Sequence, residues 1–144
     1  MQKNVEKMSV NYSPNFNPKK RRYSNVKYLI FHYTGMRSET GSITRLTDKN
    51  SKVSCHYLIK FNGEIIQIVP DLYVAWHAGI SSWKKDKFLN SNSIGIEISN
   101  PGHDNVYKKF NTRQIKSIIK LSKILKNRFK IKKENVLGHS DIAP

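Results

Sequence analysis

Cysteine is almost absent from this chain, since Cys55 is the single cysteine among 144 residues. One cysteine cannot form a disulfide within the chain, and it excludes a cysteine-rich zinc site. Long apolar runs are lacking as well, because no stretch approaches the roughly 18 apolar residues that span a bilayer. We therefore expect a domain with an ordinary hydrophobic core and no membrane span.

Acidic residues are scarce: 10 Asp and Glu stand against 26 Lys and Arg, which leaves a net charge of +16. Such a charge is compatible with a polyanionic partner, such as nucleic acid, anionic lipid or an acidic wall polymer. Apart from residues 19–22, however, the basic residues are scattered, and no basic stripe is interleaved with the aromatic residues that single-strand binders use. We therefore interpret most lysines as a solvated surface and expect no nucleic-acid partner.

An apolar leader is also lacking, because residues 1–22 contain charged residues without an apolar run after them. A secretory signal peptide requires such a run. The sequence thus favours a cytoplasmic location, with the cell envelope or secretion as the alternative, and it leaves the oligomeric state open.

Turn formers and basic residues dominate residues 1–24, which predicts a flexible basic lead-in before one domain over residues 25–144. Val26–Tyr33 form a continuous apolar run, which is typical of a strand buried on both faces. Two β-type runs flank Asn62 and Gly63, and this arrangement predicts a hairpin. A further strand is expected over Ser93–Ser99.

The clearest helix is predicted over Asn111–Phe129, with Asn111 as its cap and Gln114 three residues on, as in a capping box. One face at helical spacing is expected to be buried, and it comprises Ile115, Ile118, Ile119, Ser122, Leu125 and Phe129. A shorter helix is expected over Ser42–Lys49, and a short strand over Asn135–His139. Because strands and helices are mixed, we expect an α/β fold: a single domain with a mixed β-sheet flanked by α-helices.

Five histidines are candidates for chemistry, and His32 and His139 stand out among them. Each of these two follows an apolar strand and precedes a turn, and strand ends are where α/β folds present reactive groups. His56 begins a strand and is interpreted as a core histidine, and His103 as a surface residue. Because no compact motif such as His-Glu-x-x-His is present, spacing alone leaves a metal site and ordinary buried histidines both open.

Glu97 is unusual because it interrupts an apolar strand. It shares a face with Gly95, and a glycine in a strand leaves room for something to approach the sheet. A catalytic carboxylate near a metal would fit there, as would a carboxylate on an exposed face. Trp76 and His77 precede two small residues, so they either line a cleft for a sugar or peptide or form an ordinary packed loop.

Five segments taken together carry a more specific signal. They are Phe31–Thr34, Ser54–Ile59, Ala75–Gly79, Asn92–Glu97 and Gly138–Pro144. In content and in order they resemble the type-2 N-acetylmuramoyl-L-alanine amidases, with wording most similar to the bacterial anhydromuropeptide amidases. The resemblance covers roughly Val26 to Pro144.

The resemblance implies that His32 and His139 are ligands of a catalytic Zn²⁺ and that Glu97 is the catalytic carboxylate. It also implies four residues that contact the substrate, namely Tyr33, Trp76, His77 and Asn92. The implied reaction is zinc-dependent hydrolysis of the amide bond between N-acetylmuramic acid, or its anhydro form, and L-alanine of a peptidoglycan stem peptide. The implied partner is peptidoglycan or a muropeptide, and the implied process is cell-wall turnover.

One part of the family pattern does not occur within the 144 residues. The third zinc ligand, usually an aspartate, and a lysine that stabilises the oxyanion both follow the Ala-Pro that here stands at positions 143 and 144. The domain is therefore expected to be C-terminally incomplete relative to the family, and two histidines alone make a poor zinc site. The alternative hypothesis is a non-catalytic peptidoglycan-binding domain or an inactive truncated fragment.

Overall fold

Six strands form one mixed sheet at the centre of the computed structural model, which describes residues 8–102 and 109–143. From one edge to the other they are β1 (Ser9–Val10), β5 (Ile65–Gln67), β4 (Tyr57–Ile59), β9 (Ser93–Ile98), β3 (Tyr28–Tyr33) and β10 (Val136–Gly138). β4 and β5 run antiparallel, as the expected hairpin requires, and all other neighbours are parallel. The expected mixed sheet in a single α/β domain is confirmed.

Among the described residues, two small two-stranded sheets lie outside the main sheet. One pairs β2 (Phe16–Asn17) with β6 (Val74–Ala75), and the other pairs β7 (Ser82–Trp83) with β8 (Asp86–Lys87). The segment from Val74 to Lys87 thus contains three short strands, β6, β7 and β8.

Residues 8–24 differ from the flexible lead-in that their composition predicts. Asn15 is only 2% exposed, and its side-chain amide donates hydrogen bonds to the carbonyls of Asp48 at 2.8 Å and Val53 at 2.9 Å. The chain is held here by long-range partners, since β1 pairs with β5 and β2 pairs with β6. Turn-forming residues in this segment therefore connect short strands that lie on the domain.

Three α-helices accompany the sheet in the part of the chain that the structure describes. They are α1 (Glu39–Thr47), α2 (Thr112–Phe129) and α3 (His139–Ile142). Helix α1 begins three residues before the expected start because the Ser38 hydroxyl accepts a hydrogen bond from the Gly41 N–H and caps it. The predicted capping box of α2 is confirmed, with Asn111 and Gln114 in reciprocal contact.

The buried face of α2 is rotated relative to the expected one. Ile115 and Ile119 are 46% and 49% exposed, whereas the buried residues of the helix are Gln114, Leu121, Leu125 and Phe129. Successive residues point about 100° apart around a helix, so the two isoleucines lie beside the buried stripe. Gln114 is accommodated in the stripe because its amide donates to the Ser99 carbonyl at 2.8 Å.

The core lies on both faces of the sheet, and the two longest strands, β3 and β9, carry buried side chains on both sides. Leu29 of β3 and Ile96 of β9 pack with Leu125 of α2 on one face. On the other face, Ile30 packs with Leu137 beside α3. Within the described residues, no helix has the length and apolarity that crossing a membrane requires. Since β3 and β9 are parallel, their carboxyl ends lie side by side at one edge of this double-sided core.

Candidate active site

A cavity of about 530 Å³ lies at the carboxyl ends of β3 and β9. Most of the site residues expected from sequence line it, namely His32, Tyr33, Trp76, His77, Glu97 and His139. Asn92 is not among the lining residues, because it precedes β9 at the end opposite to Glu97, where its carbonyl accepts a hydrogen bond from the Lys27 N–H. The structure therefore places Asn92 outside the cleft in which we expect it to contact the substrate.

Three histidine rings meet at the wall of the cavity. His32, near the end of β3, lies between the other two: its Nδ1 is 3.1 Å from Nδ1 of His139, and its Nε2 is 2.9 Å from Nδ1 of His77. The distant sequence positions of His32 and His139 are joined because β10 pairs with β3 and the chain turns into α3 at His139. Burial, followed by the proximity of His139, lowers the pKa of His32 to about 3, so the ring is neutral, the form that binds metals.

His77 is seated against the sheet at Gly95. A β-carbon at position 95 would lie 2.3 Å from Cγ of His77, a distance that real atoms do not tolerate. The room that the sequence predicts beside Gly95 is thus filled by His77. The backbone N–H groups of His77 and Ala78 both donate to Oδ1 of Asn90, at 3.0 and 2.8 Å. The sequence alone does not single out Asn90, because only the fold brings it beneath this loop.

Glu97 lies opposite His32 in the register of β9 against β3. Its Oε2 is buried and has no hydrogen-bond partner among the described residues. Burial raises the pKa of Glu97 to about 8, against an opposing effect of the Arg45 guanidinium. A buried, unpaired carboxylate oxygen is costly and is found mainly where it serves chemistry. Glu97 is therefore a candidate proton acceptor that titrates close to neutral pH.

Helix α1 and aromatic side chains also line the cavity. Arg45 of α1 is the only cation among the described residues that line it, and the sequence gives no signal for this role because Arg45 reads as an ordinary helix residue. Trp76 is held by the hydrogen bond from its indole N–H to Oδ1 of Asn17 at 2.8 Å. Tyr33, 45% exposed, stands at the end of β3. The cavity thus combines aromatic faces with one cation.

Of the other two histidines, His56 is the one that the structure describes. His56 is completely buried, accepts a hydrogen bond from the Gly95 N–H on Nδ1 at 3.0 Å, and has Nε2 2.8 Å from the Tyr73 carbonyl. Both nitrogens are satisfied, which confirms the interpretation of a core histidine. The neighbouring Cys55 is also buried, and its thiol donates to the Tyr57 carbonyl at 3.2 Å. His103 lies outside the described residues.

Zinc is the metal that the donor types favour, and the pair of histidines fits part of a zinc site. In a tetrahedral site with Zn–N bonds of about 2.0–2.1 Å, two ligand nitrogens stand about 3.3 Å apart. Nδ1 of His32 and Nδ1 of His139 are 3.1 Å apart, close to that separation. Across residues 8–102 and 109–143, no three His, Cys, Asp or Glu residues are grouped to hold a metal ion. The pair therefore fits two adjacent ligand positions and leaves the others to further groups.

Comparison with known proteins places this geometry in a family. The family model described as N-acetylmuramoyl-L-alanine amidase matches residues 22–144. The amidase AmiD of Escherichia coli is 42% identical over 134 residues, which cover 85% of this chain and 48% of AmiD. The 1,6-anhydro-N-acetylmuramyl-L-alanine amidase AmpD of Citrobacter freundii is 38% identical over 93 residues, which cover 65% of this chain and 48% of AmpD.

A solved structure of E. coli AmiD in complex with the substrate anhydro-N-acetylmuramic acid-L-Ala-D-γ-Glu-L-Lys is similar with a TM-score of 0.76 and 41% identity. That similarity covers 89% of this chain and 53% of the AmiD chain. The present chain spans about half the length of the curated relatives it matches. Because the family model matches residues 22–144, which are most of the chain, this chain belongs to the N-acetylmuramoyl-L-alanine amidase family.

Proposed function

We propose that this protein is a zinc-dependent N-acetylmuramoyl-L-alanine amidase that acts on muropeptides in peptidoglycan turnover. One observation carries the proposal: the facing Nδ1 atoms of His32 and His139 and the unpaired carboxylate of Glu97 lie in the wall of one cavity. The bond to be cleaved is the amide between the lactyl group of N-acetylmuramic acid and L-alanine. The anhydro form is the favoured substrate, because AmpD is named for it and AmiD has been solved with it.

His32 and His139 would hold the zinc ion through their Nδ1 atoms, and a further ligand would complete the site. The chemistry that zinc supplies when bound is Lewis acidity, which polarises an amide carbonyl and makes water a stronger acid. His32 contributes rigidity, because it lies on β3, which has a hydrogen-bonded strand on each side, and because it is only 7% exposed. His139 contributes access, because it lines the cavity and is exposed to solvent.

Glu97 would move the proton. Its carboxylate takes a proton from the attacking water while the water oxygen bonds to the carbonyl carbon. As the C–N bond breaks, the same carboxyl group returns the proton to the leaving amine of L-alanine. An acid–base group works best when its pKa is near the working pH, and burial raises the pKa of Glu97 to about 8.

The rest of the cavity would orient the substrate. Trp76 and Tyr33 present aromatic faces of the kind that pack against sugar rings. Arg45 is the cation available to a carboxylate of the stem peptide, and a charge-assisted hydrogen bond to a carboxylate is among the stronger polar contacts. The substrate would thus lie with its sugar against the aromatic residues and its peptide towards α1.

The test is hydrolysis by the protein in its full gene-encoded length. After addition of zinc and an anhydromuropeptide, mass spectrometry should detect free stem peptide, and a chelator should abolish its release. Glu97→Gln should keep zinc and lose turnover by a factor of about 10² to 10⁴, the usual contribution of a general base. Glu134→Gln removes a carboxylate that is exposed on the surface and should behave as wild type.

Two results would overturn the proposal. Absence of peptide release by wild type would exclude the enzymatic function, and tight muropeptide binding in that case would support the alternative, a non-catalytic binding domain. Unchanged turnover in Glu97→Gln would remove Glu97 from the mechanism.

A further inference from the structure

A line of hydrogen bonds runs from His32 away from the cavity and into the body of the protein. Nε2 of His32 lies 2.9 Å from Nδ1 of His77, and Nε2 of His77 lies 3.0 Å from Oγ of Ser93. The Ser93 hydroxyl donates in turn to the Leu89 carbonyl at 2.6 Å. Both nitrogens of the His77 ring therefore have a partner inside the protein.

The last link determines the direction of all the others. A serine hydroxyl has a single hydrogen, which Ser93 gives to Leu89, so Oγ of Ser93 must accept from an N–H on Nε2 of His77. A neutral imidazole has one N–H, so Nδ1 of His77 is an acceptor and Nε2 of His32 is the donor. His32 then has its lone pair on Nδ1, the atom that faces His139 at 3.1 Å.

The neutral state of His77 follows from its partners. They are a hydroxyl and an imidazole, and neither is an anion that would favour an imidazolium. The ring is also held in place, because it packs directly against Gly95, where a β-carbon would lie 2.3 Å from Cγ of His77, and Asn90 accepts the His77 backbone N–H at 3.0 Å. The position of the His77 ring and its single ring hydrogen together leave one arrangement of the hydrogens along His32, His77 and Ser93.

We propose that His77 is a positioning residue that holds His32 in the tautomer whose Nδ1 lone pair faces His139 and is available to a metal ion. The metal-binding purpose rests on the proposed function, whereas the chain of hydrogen bonds exists without metal. Groups that accept the second N–H of a metal-binding histidine set its tautomer and orientation. This role differs from the substrate contact expected for His77, because its ring nitrogens are both engaged within the protein.

The direct test is the protonation of the ring nitrogens in the metal-free wild-type protein, measured by two-bond ¹H–¹⁵N correlation NMR. The expected result is hydrogen on Nε2 and none on Nδ1, for both His32 and His77. His56 is the internal control. Its hydrogen bonds to Gly95 and Tyr73 place its ring hydrogen on Nε2, and they do not involve the hydrogen bonds that join His32, His77 and Ser93. Hydrogen on Nδ1 of His32 would overturn the proposal, and this measurement needs no variant.

Two variants of equal polarity separate positioning from packing. In His77→Asn the amide oxygen is the same number of bonds from the backbone as Nδ1, so it can accept from His32. In His77→Gln the amide oxygen corresponds to Nε2 and points towards Ser93. We expect His77→Asn to keep the His32 tautomer and zinc affinity, and His77→Gln to lower affinity by about 10- to 100-fold, as measured by competition with a chromogenic chelator.

The outcomes distinguish the two proposals. Equal losses in His77→Asn and His77→Gln, with both variants folded, would mean that His77 only fills space and would overturn its positioning role. Should wild type bind no zinc at all, the proposed function fails, and the ring spectrum still decides whether His77 sets the tautomer of His32. Ser93→Ala should disturb the tautomers of His77 and His32 while leaving that of His56 unchanged.

Discussion

Replacing Glu97 by glutamine is expected to stabilise the metal-free protein, although it removes the proposed catalytic group. One carboxylate oxygen of Glu97, Oε2, is buried and unpaired, and burial raises the pKa of Glu97 from 4.5 to about 8. A carboxyl group with a raised pKa favours folding when protonated, so its contribution is complete below about pH 4.5 and is lost as the pH rises towards 8. Glutamine does not ionise, and its amide keeps nearly the same shape.

The size of the effect follows from the pKa difference. Each unit is worth about 1.4 kcal/mol, so the free energy of unfolding of Glu97→Gln should exceed that of wild type by up to about 3 kcal/mol at pH 7. At pH 4.5 the difference should be small. Other titrating groups are common to both proteins and cancel in the comparison.

The assay is urea denaturation of both proteins at several pH values from 4.5 to 8, in the presence of a chelator. The gap between their unfolding free energies should widen with pH at constant m-value. Glu134→Gln, which alters an exposed carboxylate, should show no widening gap. Equal stabilities of wild type and Glu97→Gln at pH 8 would refute the reasoning, since they would mean that the Glu97 carboxylate is well solvated.

Three further changes have defined outcomes. Gly95→Ala should displace His77 and lower the unfolding free energy, measured by urea denaturation, by about 1–3 kcal/mol. Gly138→Ala is the control: its β-carbon would have its nearest neighbour at 3.7 Å, so the unfolding free energy should change little. Arg45→Ala should raise KM for muropeptides more than it lowers kcat in steady-state assays, and Arg45→Lys should restore part of the loss. Asn15→Ala should lower the unfolding free energy by about 1–3 kcal/mol and reduce Tm in calorimetry, because the Val53 carbonyl loses its donor and the Asp48 carbonyl loses one of its donors.

Local patterns allowed part of the fold to be predicted from sequence. The hairpin around Asn62 and Gly63 and the capping box at Asn111 depend on neighbouring residues, and both are confirmed. The short strands β1 and β2 are only two residues long and are held by partners far along the chain. Such strands have no periodicity to detect, which is why residues 8–24 read as a lead-in.

The candidate site was predictable to a similar extent. His32 and Glu97 were found as unusual residues of apolar strands, but only the parallel register of β3 with β9 places them side by side. The hydrogen-bond chain through His77 was not predictable, because it depends on how a loop folds back over Gly95. Arg45 could be found only once α1 was placed against the cavity.

The position of the two facing histidines in the sheet has a consequence for motion. His32 belongs to β3, which has a hydrogen-bonded neighbour on each side, whereas His139 directly follows β10, a strand at the edge of the sheet. Segments with fewer neighbours open more often, so amide hydrogens of β10 should exchange with solvent faster than those of β3. A ligand that bridges both rings would slow exchange mainly in β10, because it would tie an edge strand to an inner strand of the sheet.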